Sequence, residues 1–167
     1  RSSLLKNQKT IKNGMGHYLP DYDLKKTMLG KIQWKWLIKA LEREVDVRVI
    51  GTSIQLLAEG HRLERWGNFP NERKKLLKLL SKTSKNKAIV ISGDRHLGGI
   101  YKLTSRNGAT IYEITSSSMN MPSRVQHEIG PLLIGDIYSQ ENFGIIRMTL
   151  KLKSVSIELH GLNDGLV

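Results

Sequence analysis

Asp94 and His96 stand two residues apart, directly after an apolar run, Ala88-Ile89-Val90-Ile91, that stops at Ser92-Gly93. A carboxylate oxygen and an imidazole nitrogen presented together suit a hard or borderline cation such as calcium, manganese, iron or zinc. A buried strand that delivers such groups at its carboxyl end matches the place where α/β proteins put their ligands. Two donors do not complete a coordination sphere, so further ligands must come from elsewhere. The same spacing also fits an Asp that caps its own loop beside a half-buried His bonded to backbone. Gly93 would let the chain turn sharply, and Gly98 and Gly99 would let backbone approach a ligand closely.

Gln55 follows a second apolar strand and reaches the same edge of the sheet if the two strands are parallel. Its amide could bond a substrate oxygen or order a water, or simply satisfy loop backbone. Trp66, Asn68 and Arg73 lie in one stretch, 64–73, readable as an aromatic and basic wall beside an anion or as an anchor for a long loop. Ser116-Ser117-Ser118 could offer hydroxyls and amides to phosphate oxygens. No Gly-x-Ser-x-Gly elbow surrounds these serines, and no phosphate-cradling loop or dinucleotide fingerprint is present. The other histidines show no ligand spacing among themselves and read as surface or loop residues. Cysteine is absent, which excludes disulfides and thiolate metal sites within this sequence.

The elements that must position these groups follow from periodicity. Residues 1–26 lack it and read as an extended loop. The spacing predicts a helix over 30–44 with Ile32, Trp36, Leu37, Ala40 and Leu41 inward. A strand through Val45, Val47, Val49 and Ile50 ends at Gly51, and a long connection spans 52–69. Pro70 suits the first turn of a helix reaching about residue 82, with Leu76, Leu77, Leu79 and Leu80 inward. A strand over 87–91 is apolar enough to be buried on both faces. Strands over 99–103 and 110–115 flank an Arg106-Asn107-Gly108 turn. Residues 116–142 read as irregular, and 143–150 with 155–160 form a closing hairpin. Early strands separated by helices and late strands separated by turns predict an α/β domain with a mixed sheet covered by helices on one face.

The chain of 167 residues carries a net charge of +12. Such a balance favours anionic partners, whether phosphorylated small molecules, nucleic acid or an anionic surface, although a lysine-rich solvated face would look the same. No apolar stretch approaches the roughly 20 residues that cross a bilayer, so stable membrane insertion is not expected. There is no internal repeat or low-complexity tract. The sequence does not speak to oligomeric state.

Taken in order, several short stretches resemble the carboxyl-terminal half of PhoD-like alkaline phosphatases, within the calcineurin-like metallophosphoesterases. They are Met28-Leu29-Gly30 with Gln33, Trp36 and Leu37; Ser53-Ile54-Gln55; the stretch 64–73; Ser92-Gly93-Asp94-Arg95-His96; Tyr112-Glu113-Ile114-Thr115-Ser116-Ser117; and Asn142-Phe143-Gly144. The resemblance covers roughly residues 27–147, and the whole of 1–167 then reads as the C-terminal part of a single such domain. It implies a four-layer αββα sandwich with two central mixed sheets. By the same resemblance, Asp94 and His96 would each ligate one ion of a binuclear centre holding iron and calcium, with zinc or manganese possible. Gln55 and Arg95 would contact phosphate or order water. The implied activity is hydrolysis of phosphomonoesters and phosphodiesters, with nucleic acid only as a possible substrate, usually by periplasmic or secreted enzymes. The family's remaining ligands precede the matched region, and Arg1-Ser2 is similar to the end of an earlier motif. The expectation is therefore an incomplete domain, inactive alone. A basic nucleic-acid-binding module and a phosphatase-like scaffold without metals are the alternatives.

Overall fold

A computed structural model of the chain describes residues 18–83, 87–149, 151–152 and 154–167, the side chains of Thr83 and Lys87 apart. The loop expected up to residue 17, the Arg1-Ser2 similarity and the expected strand end at Leu150 lie outside the described residues. Two helices, α1 (Gly30–Leu41) and α2 (Pro70–Thr83), alternate with strands β1 (Arg48–Gly51) and β2 (Lys87–Ser92). Then come β3 (Gly98–Thr104), β4 (Thr110–Ser116), β5 (Leu133–Tyr138), β6 (Asn142–Thr149), β7 (Ser154–Gly161) and the short β8 (Gly165–Leu166). The main sheet has the order β1-β2-β4-β3-β5, and β6-β7-β8 form a separate antiparallel sheet. β1, β2 and β4 run parallel, while β3 lies antiparallel to β4 and to β5. The predicted mixed α/β sheet is therefore present.

Register decides what each face of the main sheet does. Ile50 sits beside Val90, which sits beside Glu113, and Glu113 beside Tyr101. Because side chains alternate along a strand, these residues share a face. Ala88, Val90, Tyr101 and Ile111 from that face join Trp34, Leu41, Leu76 and Leu80 of the helices in one buried cluster. On the other face the small sheet covers the β3–β4 half. An added Cβ at Gly98 would lie 2.6 Å from Leu159 of β7, and one at Gly144 of β6 would lie 3.0 Å from Ile114. The β1–β2 half stays open, and Val49 and Ile91 are each 41% exposed there.

Three expectations about the elements are corrected. Helix α1 stops at Leu41, and Val45 is exposed rather than in a strand. The reason is Arg48, whose Nη2 donates to the carbonyls of Leu41 and Arg43 at 3.0 and 2.8 Å and so closes the helix end. Ile32 and Trp36 point to solvent while Trp34 is buried. Trp34 is drawn inward by its contact with Trp66, ring centroids 6.4 Å apart, and by its N–H bond to Glu72. The stretch expected to be irregular contains β5, which pairs with β3 across a register shift. Its left-handed Gly135 (φ 66°) and its four exposed or half-exposed leading residues mask the usual alternation.

Candidate metal centre

The carboxyl ends of β1 and β2 lie at one edge of the sheet, as parallel pairing requires. Gln55, just beyond β1, is buried at 1% exposure and its Nε2 donates to the carbonyl of Gly93, just beyond β2. The amide therefore ties together the two loops on which the candidate site rests. Glu113, also buried, accepts the backbone N–H groups of Leu56 and Leu57 at 2.9 and 2.5 Å, which anchors the segment following Gln55. Burial pushes the Glu113 carboxyl above the usual carboxylate range, with those N–H bonds acting in the opposite sense.

Beyond Gly93 the chain takes a conformation that its side chains resist. Asp94 and His96 both have positive φ, 70° and 57°. The sharp turn was expected at Gly93, but the left-handed backbone falls on the two candidate ligands instead. Asp and His tolerate that region better than most residues, yet it persists only where neighbours hold it. The holder is Ser117, whose Oγ accepts the N–H groups of Arg95 and His96 at 3.1 and 3.0 Å. Ser123 N–H closes the other side onto the His96 carbonyl at 2.6 Å. Gly98 and Gly99 make room not for a ligand but for Leu159 and for the Tyr101 ring.

This backbone sends alternate side chains in opposite directions. Asp94 and His96 are exposed, whereas Arg95 is buried. The Nδ1 of His96 lies 2.8 Å from the carbonyl oxygen of Met121. A carbonyl only accepts, so Nδ1 is the donor, and in the neutral ring Nε2 then keeps the lone pair that a metal needs. Arg95 turns inward, where its Nη2 pairs with Glu128 at 2.7 Å, the two side chains being 3% and 1% exposed. Tyr101 donates to the same carboxylate at 3.1 Å, and burial pushes its hydroxyl pKa upward. His61, expected at the surface or in a loop, is in a loop but 8% exposed; burial first, then Arg95 and Arg65, hold its pKa down at about 2.

The remaining sequence candidates anchor the long connection. Trp66 Nε1 donates to Thr52 at 2.9 Å, and Asn68 accepts the Arg65 N–H at 2.7 Å. Arg73 pairs with Glu59 at 2.7 Å and donates to the Leu56 carbonyl. Ser117 and Glu128 were missed as supports of the loop. The serine run was a visible signal for the first, read as phosphate-binding rather than loop-clamping. Nothing in the sequence around Glu128 marks it.

The arrangement offers a carboxylate and a tautomer-fixed imidazole at one exposed loop, which is a donor set that fits a divalent or trivalent cation. No cluster of three or more acidic, His or Cys ligands occurs among the described residues. The fold has a known counterpart. A solved structure described as "Structure of PhoD" is similar over 96% of this chain, with a TM-score of 0.62 and 15% identity. The chain spans 39% of that protein's length. No curated protein matches it. Residues 6–159 match the model of the PhoD-like phosphatases, and a match of that extent means that the chain belongs to the PhoD-like phosphatase family.

Proposed function

We propose that Asp94 and His96 each hold one ion of a binuclear centre in a metal-dependent phosphoric ester hydrolase that acts on phosphomonoesters or phosphodiesters. The observation that carries this reading is the clamped loop: two strained residues, one with oxygen and one with nitrogen donors, face outward while Ser117 fixes the amides of Arg95 and His96. Iron with calcium suits the mixed oxygen and nitrogen donors, and zinc or manganese would also be accepted. When bound, such a centre supplies Lewis acidity to the phosphoryl oxygens and lowers the pKa of water. The other ligands come from outside the described residues. Met121 orients the His96 ring, and Ser117 holds the backbone that aims Asp94. Gln55 and Arg95 serve as positioning residues, since Gln55 is tied to Gly93 and Arg95 to Glu128 rather than pointing to an outside phosphate. The positive net charge of +12 raises the local concentration of anionic substrate.

The open half of the main sheet supports the four-layer part of the reading. Parallel strands are normally covered on both faces, and among the described residues β1 and β2 are covered only by the helices. A second mixed sheet, of which β6–β8 form part, would cover Val49 and Ile91.

The test is metal content and turnover together. In the full-length protein, which carries the remaining ligands, Asp94→Ala and His96→Ala should each lower bound metal by about one ion per chain and reduce hydrolysis of p-nitrophenyl phosphate and its bis-ester by ~100-fold or more. Unchanged metal content and unchanged turnover in both variants would sink the assignment.

A further inference from the structure

A groove of about 1310 Å³ runs between helix α2 and the β3–β4 turn, and Asp94 and His96 are not among the residues that line it. Its floor is apolar, formed in part by Leu77 and Leu103. Along one wall Lys74, Lys78 and Lys82 recur at intervals of four, so their stems rise by ~6 Å from one to the next. That interval is close to the distance between successive phosphates of an extended single strand. Arg106, on the turn, faces them from the opposite wall. The two walls are fixed relative to one another, because Asn107 Nδ2 donates to the Ser81 carbonyl at 3.1 Å. At the other end stands Tyr22, 71% exposed, its backbone held by Asn71 at 2.8 Å. The one carboxylate in the lining, Glu59, is already paired with Arg73.

A row of cations alone would suit any polyanion. An apolar floor with an exposed aromatic ring at its end adds something that inorganic phosphate chains do not use, namely a surface for bases to stack on. We infer that this groove binds a short stretch of single-stranded nucleic acid, with the phosphates along Lys74, Lys78 and Lys82 and a base against Tyr22. Helix α1 carries an internal control. Lys31, Lys35 and Lys39 form an exposed row with the same spacing, but none of them lines this groove.

The experiment measures fluorescence anisotropy of a labelled 12-nucleotide single strand with the intact protein at low salt and in excess chelator. Chelator separates this groove from the phosphatase reading, because a strand held by the proposed metal centre would be released. Binding should persist, weaken steeply with added salt, and fall ~10-fold or more in Lys74→Ala/Lys78→Ala/Lys82→Ala. Tyr22→Ala should lower affinity ~5-fold or more at unchanged salt dependence. Lys31→Ala/Lys35→Ala/Lys39→Ala, which removes the same charge elsewhere, should bind almost as tightly as the parent. Equal losses in the two lysine triples would overturn the inference, as would release by chelator. Displacement by inorganic polyphosphate as effective as by unlabelled strand, with Tyr22→Ala binding normally, would reduce the groove to a general polyanion surface and also overturn it.

Discussion

At the scale of single residues, the candidate ligands are held where the backbone least favours them. For an L-residue the left-handed region costs about 1–2 kcal/mol, and glycine escapes that cost. Asp94 at φ 70° therefore permits a clean comparison. Asp94→Gly and Asp94→Ala both remove the carboxylate, but the glycine variant should be more stable by about 1 kcal/mol in urea denaturation. Equal stabilities would mean that the turn relaxes when the side chain is cut. The Asp-x-His spacing made these residues legible in the sequence, and the Ser-Gly before them made the strand end legible. The strain was not legible, because it is imposed by Ser117 and Ser123, more than twenty positions downstream. The inward turn of Arg95 was hidden for the same reason, since its partner Glu128 lies 33 residues away.

At the scale of elements, contact with neighbours overrides local pattern most visibly in helix α1. Glu72, from the first turn of α2, accepts the backbone N–H groups of Met28 and Leu29 at 2.6 and 3.4 Å, the Thr27 hydroxyl and the Trp34 indole N–H. One carboxylate thus takes two backbone donors just ahead of α1, holds the Thr27 hydroxyl that accepts the Gly30 N–H, and chooses which tryptophan of the helix turns inward. Periodicity pointed to Ile32 and Trp36 because the apolar residues of α1 do not lie on one stripe, and only α2 resolves the choice. Glu72→Ala should leave the buried Trp34 N–H unpartnered and cost about 2–4 kcal/mol. Glu72→Gln, which keeps an acceptor oxygen, should cost less. Trp34 fluorescence in Trp36→Phe/Trp66→Phe backgrounds should report loosening of the helix in the alanine variant, and an alanine variant as stable as the parent would refute the arrangement. Strands β1 to β4 were legible because each is bounded on at least one side by glycine or the Asn107-Gly108 turn. β8 was not, since two exposed residues carry no pattern.

At the scale of the whole molecule, the site depends on how the two sheets meet. β3 leaves the Asp94–His96 loop at Gly98, and β7 lays Leu159 against that glycine, with both Leu159 methyl carbons within 2.7 Å of where a Cβ would stand. Leu159 is 3% exposed, so its head has little room to move aside. A methyl group at residue 98 must push the sheets apart or shift the start of β3, and His96 lies two residues before it. Gly98→Ala should therefore cost about 1–3 kcal/mol and, if the proposed centre forms there, weaken ion binding without altering Asp94 or His96. Leu159→Ala alone should destabilise the core by leaving a cavity. In the double variant the new methyl occupies space that Leu159 vacates, so the total loss should fall short of the sum by about 1 kcal/mol or more. Ion affinity should recover along with stability if the loop is displaced only through this contact. Strict additivity in the denaturation midpoints would mean that the sheets do not press on one another at Gly98. Recovery of stability without recovery of ion affinity would place the loop's support within residues 117–123 alone.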